Sequence, residues 1–126
     1  MLTKAVKEQR EVIMRGFVLA AGLGTRLRPL TEQVPKPMVS VGDMPLVERA
    51  VRQLVGAGID EIGINLYYLP DMIVKHIGDG DRLGAKITYF DERTAADHGS
   101  PLGTGGGLKN AEAFLRGDGQ SSFMLV

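Results

Sequence analysis

The stretch from Phe17 to Met38, F-V-L-A-A-G-L-G-T-R-L-R-P-L-T-E-Q-V-P-K-P-M, constrains this chain more than any other. A short apolar run empties into a glycine-rich turn, which is followed at once by Arg26 and Arg28 and then by Lys36 between two prolines. Phe17 to Ala21 is too short for a helix and fits a strand buried on both faces. Backbone N–H groups approach an anion closely only where side chains are absent, so Gly22 and Gly24 make room for one. Arg26 and Lys36 then carry the charge that a triphosphate calls for.

The remaining elements follow from periodicity. From Gly22 to Asp43 no period holds and Pro29, Pro35 and Pro37 intervene, which predicts a long ordered loop of the kind that carries function. Pro45 opens a helix whose Leu46, Val47, Ala50, Val51, Leu54 and Val55 share one face, ending at Gly56 or Gly58. Glu61 to Leu66 is a second strand. A helix from Pro70 buries Ile73, Val74 and Ile77 and stops at Gly78, and Lys86 to Phe90 is a third strand. After an irregular polar stretch, a glycine-rich turn leads to a helix with Leu108, Ala111, Phe114 and Leu115, and Ser122 to Val126 is a fourth strand. This alternation predicts an α/β fold: a Rossmann-like doubly wound parallel sheet with flanking helices, its ligand at the carboxyl ends of the strands.

Composition removes several classes. Lys+Arg 15 against Asp+Glu 15 gives a net charge of +0, without the basic footprint of a nucleic-acid binder. The hydrophobic share of 44% and charged share of 24% are those of an ordinary globular domain and suggest no membrane span. No cysteine is present, which excludes a disulfide framework, a thiolate nucleophile and cysteine-type zinc, and makes a cytoplasmic location the expectation. Residues 1–13 are expected to be a dispensable extension, with Met14 a natural start. A secretory signal is rejected because its apolar part is short and breaks into glycines and arginines.

A G-x-G after a strand is weak on its own, since tight turns use glycine for steric reasons. Here the third glycine of a dinucleotide fingerprint is missing and no Gly-Lys-Ser/Thr follows, so neither an NAD site nor a Walker A loop fits. Arg28 reads equally well as loop cover. Gly105 to Gly107 fit either close packing or a helix start aimed at a nucleotide. His76 and His98 lack a second metal-ligand partner and read as structural. Asp91 and Glu92, at the end of the third strand, read as base-edge acceptors or as solvated carboxylates.

The combined string L-A-A-G-L-G-T-R-L-R-P-L-T with P-K-P-M resembles the signature of the sugar-1-phosphate nucleotidyltransferases. The resemblance continues through P-L-V-E-R-A-V, A-G-I-D-E-I, G-D-G-D-R-L-G and L-G-T-G-G-G-L, and so covers Met14 to Val126. It is nearest the mannose-1-phosphate guanylyltransferase branch, while L-G-T-G-G-G also resembles the N-acetylmuramate-1-phosphate uridylyltransferases. It implies the N-terminal part of a nucleotide-diphospho-sugar transferase fold. It also implies that the backbone of Leu19, Ala20, Ala21 and Gly22 meets base and ribose, that Gly24, Thr25 and Arg26 hold phosphates, and that Lys36 meets phosphate too. Gly103 and Thr104 approach the base from the other side.

The implied reaction joins a nucleoside triphosphate, GTP first and UTP or dTTP next, to a sugar 1-phosphate, with Mg²⁺ assisting. In such enzymes a metal-ligating aspartate and a sugar-binding half follow the strand at Ser122 to Val126. Residues 14–126 are therefore expected to be the nucleotide-binding part alone, without metal ligands of its own, inactive by itself and prone to form homo-oligomers. The stretch Arg93 to Ser100 is longer than the family's usual connection. A non-catalytic nucleotide-binding or regulatory module, and a cytidylyl- or uridylyltransferase acting on another phosphate, remain open as alternatives.

Overall fold

The computed structural model describes residues 14–94, 102–117 and 123–126. The expected extension over 1–13, His98, Ser122 and most of the 93–100 stretch lie outside them. The order is β1 (Arg15–Val18), three 3-10 turns, a small hairpin of β2 (Ser40–Val41) and β3 (Met44–Pro45), α1 (Leu46–Gly56), β4 (Glu61–Leu66), α2 (Pro70–Ile77), a 3-10 turn (Asp81–Leu83), β5 (Lys86–Asp91), α3 (Gly103–Asn110), α4 (Glu112–Arg116) and β6 (Phe123–Leu125).

The main sheet runs β5-β4-β1-β6 and all its pairings are parallel. From β1 the chain winds outward to β4 and β5, then crosses back to place β6 on the other side of β1. The winding direction therefore reverses beside β1, and in open α/β sheets the crevice at such a reversal takes the ligand. Helices cover both faces, as the doubly wound reading requires. On one, Val18, Ile62 and Ile64 pack with Val47, Val51 and Leu54 of α1 and Ile73 and Ile77 of α2. On the other, Phe17 packs with Ala111 and Leu115, flanked by Phe90 and Phe114. Burial on both sides is why β4 reads as a continuous run with Ile62 to Leu66 all inside.

Most expected boundaries hold within a residue or two. β1 is the exception: it ends at Val18, Leu19 N–H makes the last backbone bond, to Val126 O, and Ala20 to Gly22 leave the ladder. The Ala20 N–H turns to the Asn65 side chain at 2.6 Å instead of pairing with β4, and this ends the strand. The long loop is ordered, as its prolines suggest. Thr31, almost fully buried, donates its hydroxyl to Gly24 O at 2.6 Å, and Tyr68 donates to Thr31 O at 2.6 Å. Gly24 sits at φ +65, where a Cβ would also meet the Thr31 side chain at 2.9 Å, so both backbone and space demand glycine.

The glycine-rich run differs from the expected turn. Gly103 to Gly107 lie inside α3, and the helix then breaks at Ala111 before α4. Glycine costs roughly 1 kcal/mol per position in a helix interior, which is why local propensity favours a turn there. Packing overrides it, because a Cβ on Gly107 would stand 2.8 Å from Glu92 Oε2 and 2.9 Å from Asn65 Nδ2.

Candidate nucleotide site

At the carboxyl end of β1, on the side where the winding reverses, lies a cavity of ≈ 490 Å³. Val18 to Gly22 form its floor, and Leu46, Val47, Arg49, Ala50 and Gln53 of α1 form one wall. Lys36 and Pro37 of the long loop, Asn65, Glu92, Gly103, Thr104 and Val126 complete it. Of the residues singled out in the sequence, Leu19, Ala20, Ala21, Gly22, Lys36, Gly103 and Thr104 therefore come together.

Gly24, Thr25 and Arg26 do not line the cavity; they occupy the first part of the long loop, with Thr25 to Leu27 in a 3-10 turn and Arg26 exposed. Among the described residues Arg26 makes no ion pair. It lies on the same long loop as Lys36.

The backbone donors of the floor divide into two kinds. Leu19 N–H donates to Val126 O at 3.0 Å and Ala20 N–H to Asn65 Oδ1, so both are already used. Among the described residues, Ala21 and Gly22 N–H have no acceptor. At the opposite wall the N-cap Leu102 N–H donates to Glu92 Oε1 at 3.0 Å, and among the described residues the first-turn amides of Gly103 and Thr104 have no acceptor. Two pairs of unspent donors thus flank one cavity, with a lysine at its edge.

Glu92 is a strand-end carboxylate that is fully buried instead of solvated. One oxygen takes the Leu102 N–H and the other takes Asn65 Nδ2 at 2.9 Å. A carboxylate already stands at the start of α3, where the helix dipole favours negative charge. The cations singled out in the sequence, Lys36 and Arg26, lie on the long loop instead.

Asn65 and Gln53 have no counterpart in the motif reading, while Arg49 and Pro37 stand in its P-L-V-E-R-A-V and P-K-P-M strings without an assigned role. A single polar residue in the otherwise apolar run I-G-I-N-L was the available signal for Asn65. Arg49 ties α1 to the hairpin by donating to Val41 O at 2.7 Å. His76 is structural, as expected: its Nε2 lies 2.8 Å from Glu48 Oε1, in a cluster that joins α1 to α2. A second, more open hollow beside Tyr67, Tyr68, Met72 and Arg93 contains none of the predicted residues.

The family model for nucleotidyl transferases matches residues 15–126. The chain belongs to the nucleotidyl transferase family. It is 39% identical over 113 residues to the mannose-1-phosphate guanyltransferase of Kluyveromyces lactis, covering 89% of this chain and 30% of that protein. It is 38% identical over 104 residues to the UTP–glucose-1-phosphate uridylyltransferase of a Synechocystis species, covering 80% of this chain and 27% of that one. The crystal structure of HddC from Yersinia pseudotuberculosis complexed with GMP-PN superposes with a TM-score of 0.72 at 31% identity, covering 90% of this chain and 47% of HddC. This nucleotidyl transferase chain therefore spans less than a third of the length of the two enzymes and about half of HddC. Among the described residues no helix is long and apolar enough to cross a membrane.

Proposed function

We propose that this chain is the nucleotide-binding part of a sugar-1-phosphate nucleotidyltransferase. The observation that carries the reading is the cavity at the winding reversal, where Ala21, Gly22, Gly103 and Thr104 hold unspent amides and Lys36 stands alongside. The base is received between the Ala21–Gly22 floor and the Gly103–Thr104 wall, and the phosphates run toward Lys36 and Arg26. In the complete protein a sugar 1-phosphate oxygen attacks the α-phosphorus of the triphosphate. The new phosphorus–oxygen bond forms as the α–β anhydride bond breaks, and pyrophosphate leaves with its charge met by fixed cations.

Among the described residues no three His, Cys, Asp or Glu side chains gather to hold an ion by themselves. A Mg²⁺ ion enters this reading as the companion of the nucleotide's own phosphates. The finer proposal is guanylyl transfer to mannose 1-phosphate, supported by the guanyltransferase relatives and by HddC's complex with GMP-PN. The uridylyltransferase relative keeps uridylyl transfer as the rival. The reading implies a cytoplasmic setting, where nucleoside triphosphates are supplied.

Calorimetry tests it. GTP should bind saturably, and Arg26→Ala should weaken GTP far more than guanosine. Equal losses for both ligands, or no GTP binding by the unaltered protein, would count against the assignment.

A further inference from the structure

Both walls of the cavity are held by one chain of hydrogen bonds through buried side chains. Ala20 N–H donates to Asn65 Oδ1 at 2.6 Å, Asn65 Nδ2 donates to Glu92 Oε2 at 2.9 Å, and Leu102 N–H donates to Glu92 Oε1 at 3.0 Å. Asn65 is 3% exposed and Glu92 0%. Gly107 closes over the pair so tightly that a Cβ there would press on both side chains. We propose that Asn65 and Glu92 are positioning residues that set the base-binding geometry by fixing the Ala20–Gly22 floor against the Gly103–Thr104 wall. This rests on the nucleotide reading of the cavity and adds what determines its geometry.

The order of donors explains the residue types. Backbone N–H groups enter at both ends, so the pair must present an acceptor at each end and a single donor between them. Asn65 supplies one acceptor and the donor. Glu92 must then accept on both of its oxygens, which only a carboxylate does. In Glu92→Gln, one end of the side chain becomes NH₂ and faces another donor, whichever way it turns. If Asn65 flips to relieve this, its own NH₂ meets Ala20 N–H. Asn65→Asp fails in the opposite sense, by setting two carboxylates against each other.

The double variant Asn65→Asp with Glu92→Gln restores the order. The carboxylate now at position 65 accepts from Ala20 N–H and also from the amide NH₂ introduced at position 92. The carbonyl oxygen of that same amide accepts from Leu102 N–H. The double exchange preserves both volume and total charge.

The test measures GMP and inorganic tripolyphosphate binding to the unaltered chain, both single variants and the double, each checked for fold by circular dichroism. Tripolyphosphate probes Lys36 and Arg26, which the relay does not touch. Each single variant should lose tenfold or more in GMP affinity and keep its tripolyphosphate affinity, and the double should return to within about threefold of the unaltered protein for GMP. Should a single variant unfold and lose both ligands, the double must recover both, and failure to do so refutes the relay. Single variants that bind GMP as well as the unaltered protein also refute it, with the nucleotide reading left standing. An unaltered chain that binds neither GMP nor UMP, which replaces it as the probe if the site prefers uracil, defeats the nucleotide reading, and the relay proposal falls with it.

Discussion

Glu48 meets three basic side chains, Arg52, His76 and Arg82, and replacing it by glutamine should be felt in stability. It is only 6% exposed, on α1. Oε2 accepts from Arg52 Nε at 2.9 Å, and Oε1 lies 2.8 Å from His76 Nε2 and 3.0 Å from Arg82 Nη2. The Arg52 guanidinium first, then Arg82 and His76, outweigh burial and hold its carboxyl down from 4.5 to about 2. At about 1.4 kcal/mol per tenfold change in proton affinity, that corresponds to roughly 3 kcal/mol of stabilisation. Arg52 and Arg82 are about half exposed, so solvent screens part of it and about 2 kcal/mol is the working figure.

The carboxyl is more acidic folded than unfolded, so this contribution is fully present above 4.5 and is lost as pH falls through about 2. Urea denaturation of the unaltered protein and Glu48→Gln should differ by about 2 kcal/mol at pH 7, and the gap should close between pH 4.5 and pH 2. A difference below roughly 0.5 kcal/mol at pH 7, or one that persists unchanged at pH 2, would refute the argument.

Lys36→Ala should reduce GTP affinity roughly tenfold to hundredfold while leaving base preference intact, because a lysine meets phosphate as a point charge; competition calorimetry with GTP and UTP reads both. In a thermal-shift panel GTP should stabilise more than UTP or dTTP, and a clear lead for either pyrimidine nucleotide overturns the guanylyl proposal. Gly107→Ala should cost about 1–3 kcal/mol in thermal denaturation, since its Cβ would stand 2.8 Å from Glu92 Oε2. Phe123, Met124 and Leu125 are each about 40% exposed on β6, an edge of the described sheet. Light scattering should detect concentration-dependent self-association of this chain, and a monomer at all concentrations contradicts it.

The strand and helix pattern was legible because burial on both faces leaves continuous apolar runs such as I-G-I-N-L, and because Pro45, Pro70 and Gly78 mark helix ends by local chemistry. The floor and the far wall of the cavity were legible through glycine, which marks where backbone itself is the binding surface. What escaped was long-range. Nothing local tells that Asn65 takes the Ala20 N–H across 45 residues of sequence, and that single bond moves the end of β1 from Ala21 to Val18. Glu92 was visible as a strand-end carboxylate, but its complete burial depends on Gly107 of a helix whose glycines argue locally for a turn. Lys36 enters the cavity wall whereas Arg26, so prominent in the motif, stays outside it, because the fold of the long loop rests on Thr31 and Tyr68.

An amide-resolved NMR titration with GTP bears most directly on the claim that the crevice beside β1 is the nucleotide site. Saturable shifts at Ala21, Gly22, Lys36, Gly103 and Thr104, with Tyr67, Tyr68 and Met72 of the second hollow unmoved, are the predicted result. Saturable shifts confined to the second hollow, or no shifts at millimolar GTP in a folded protein, would contradict it.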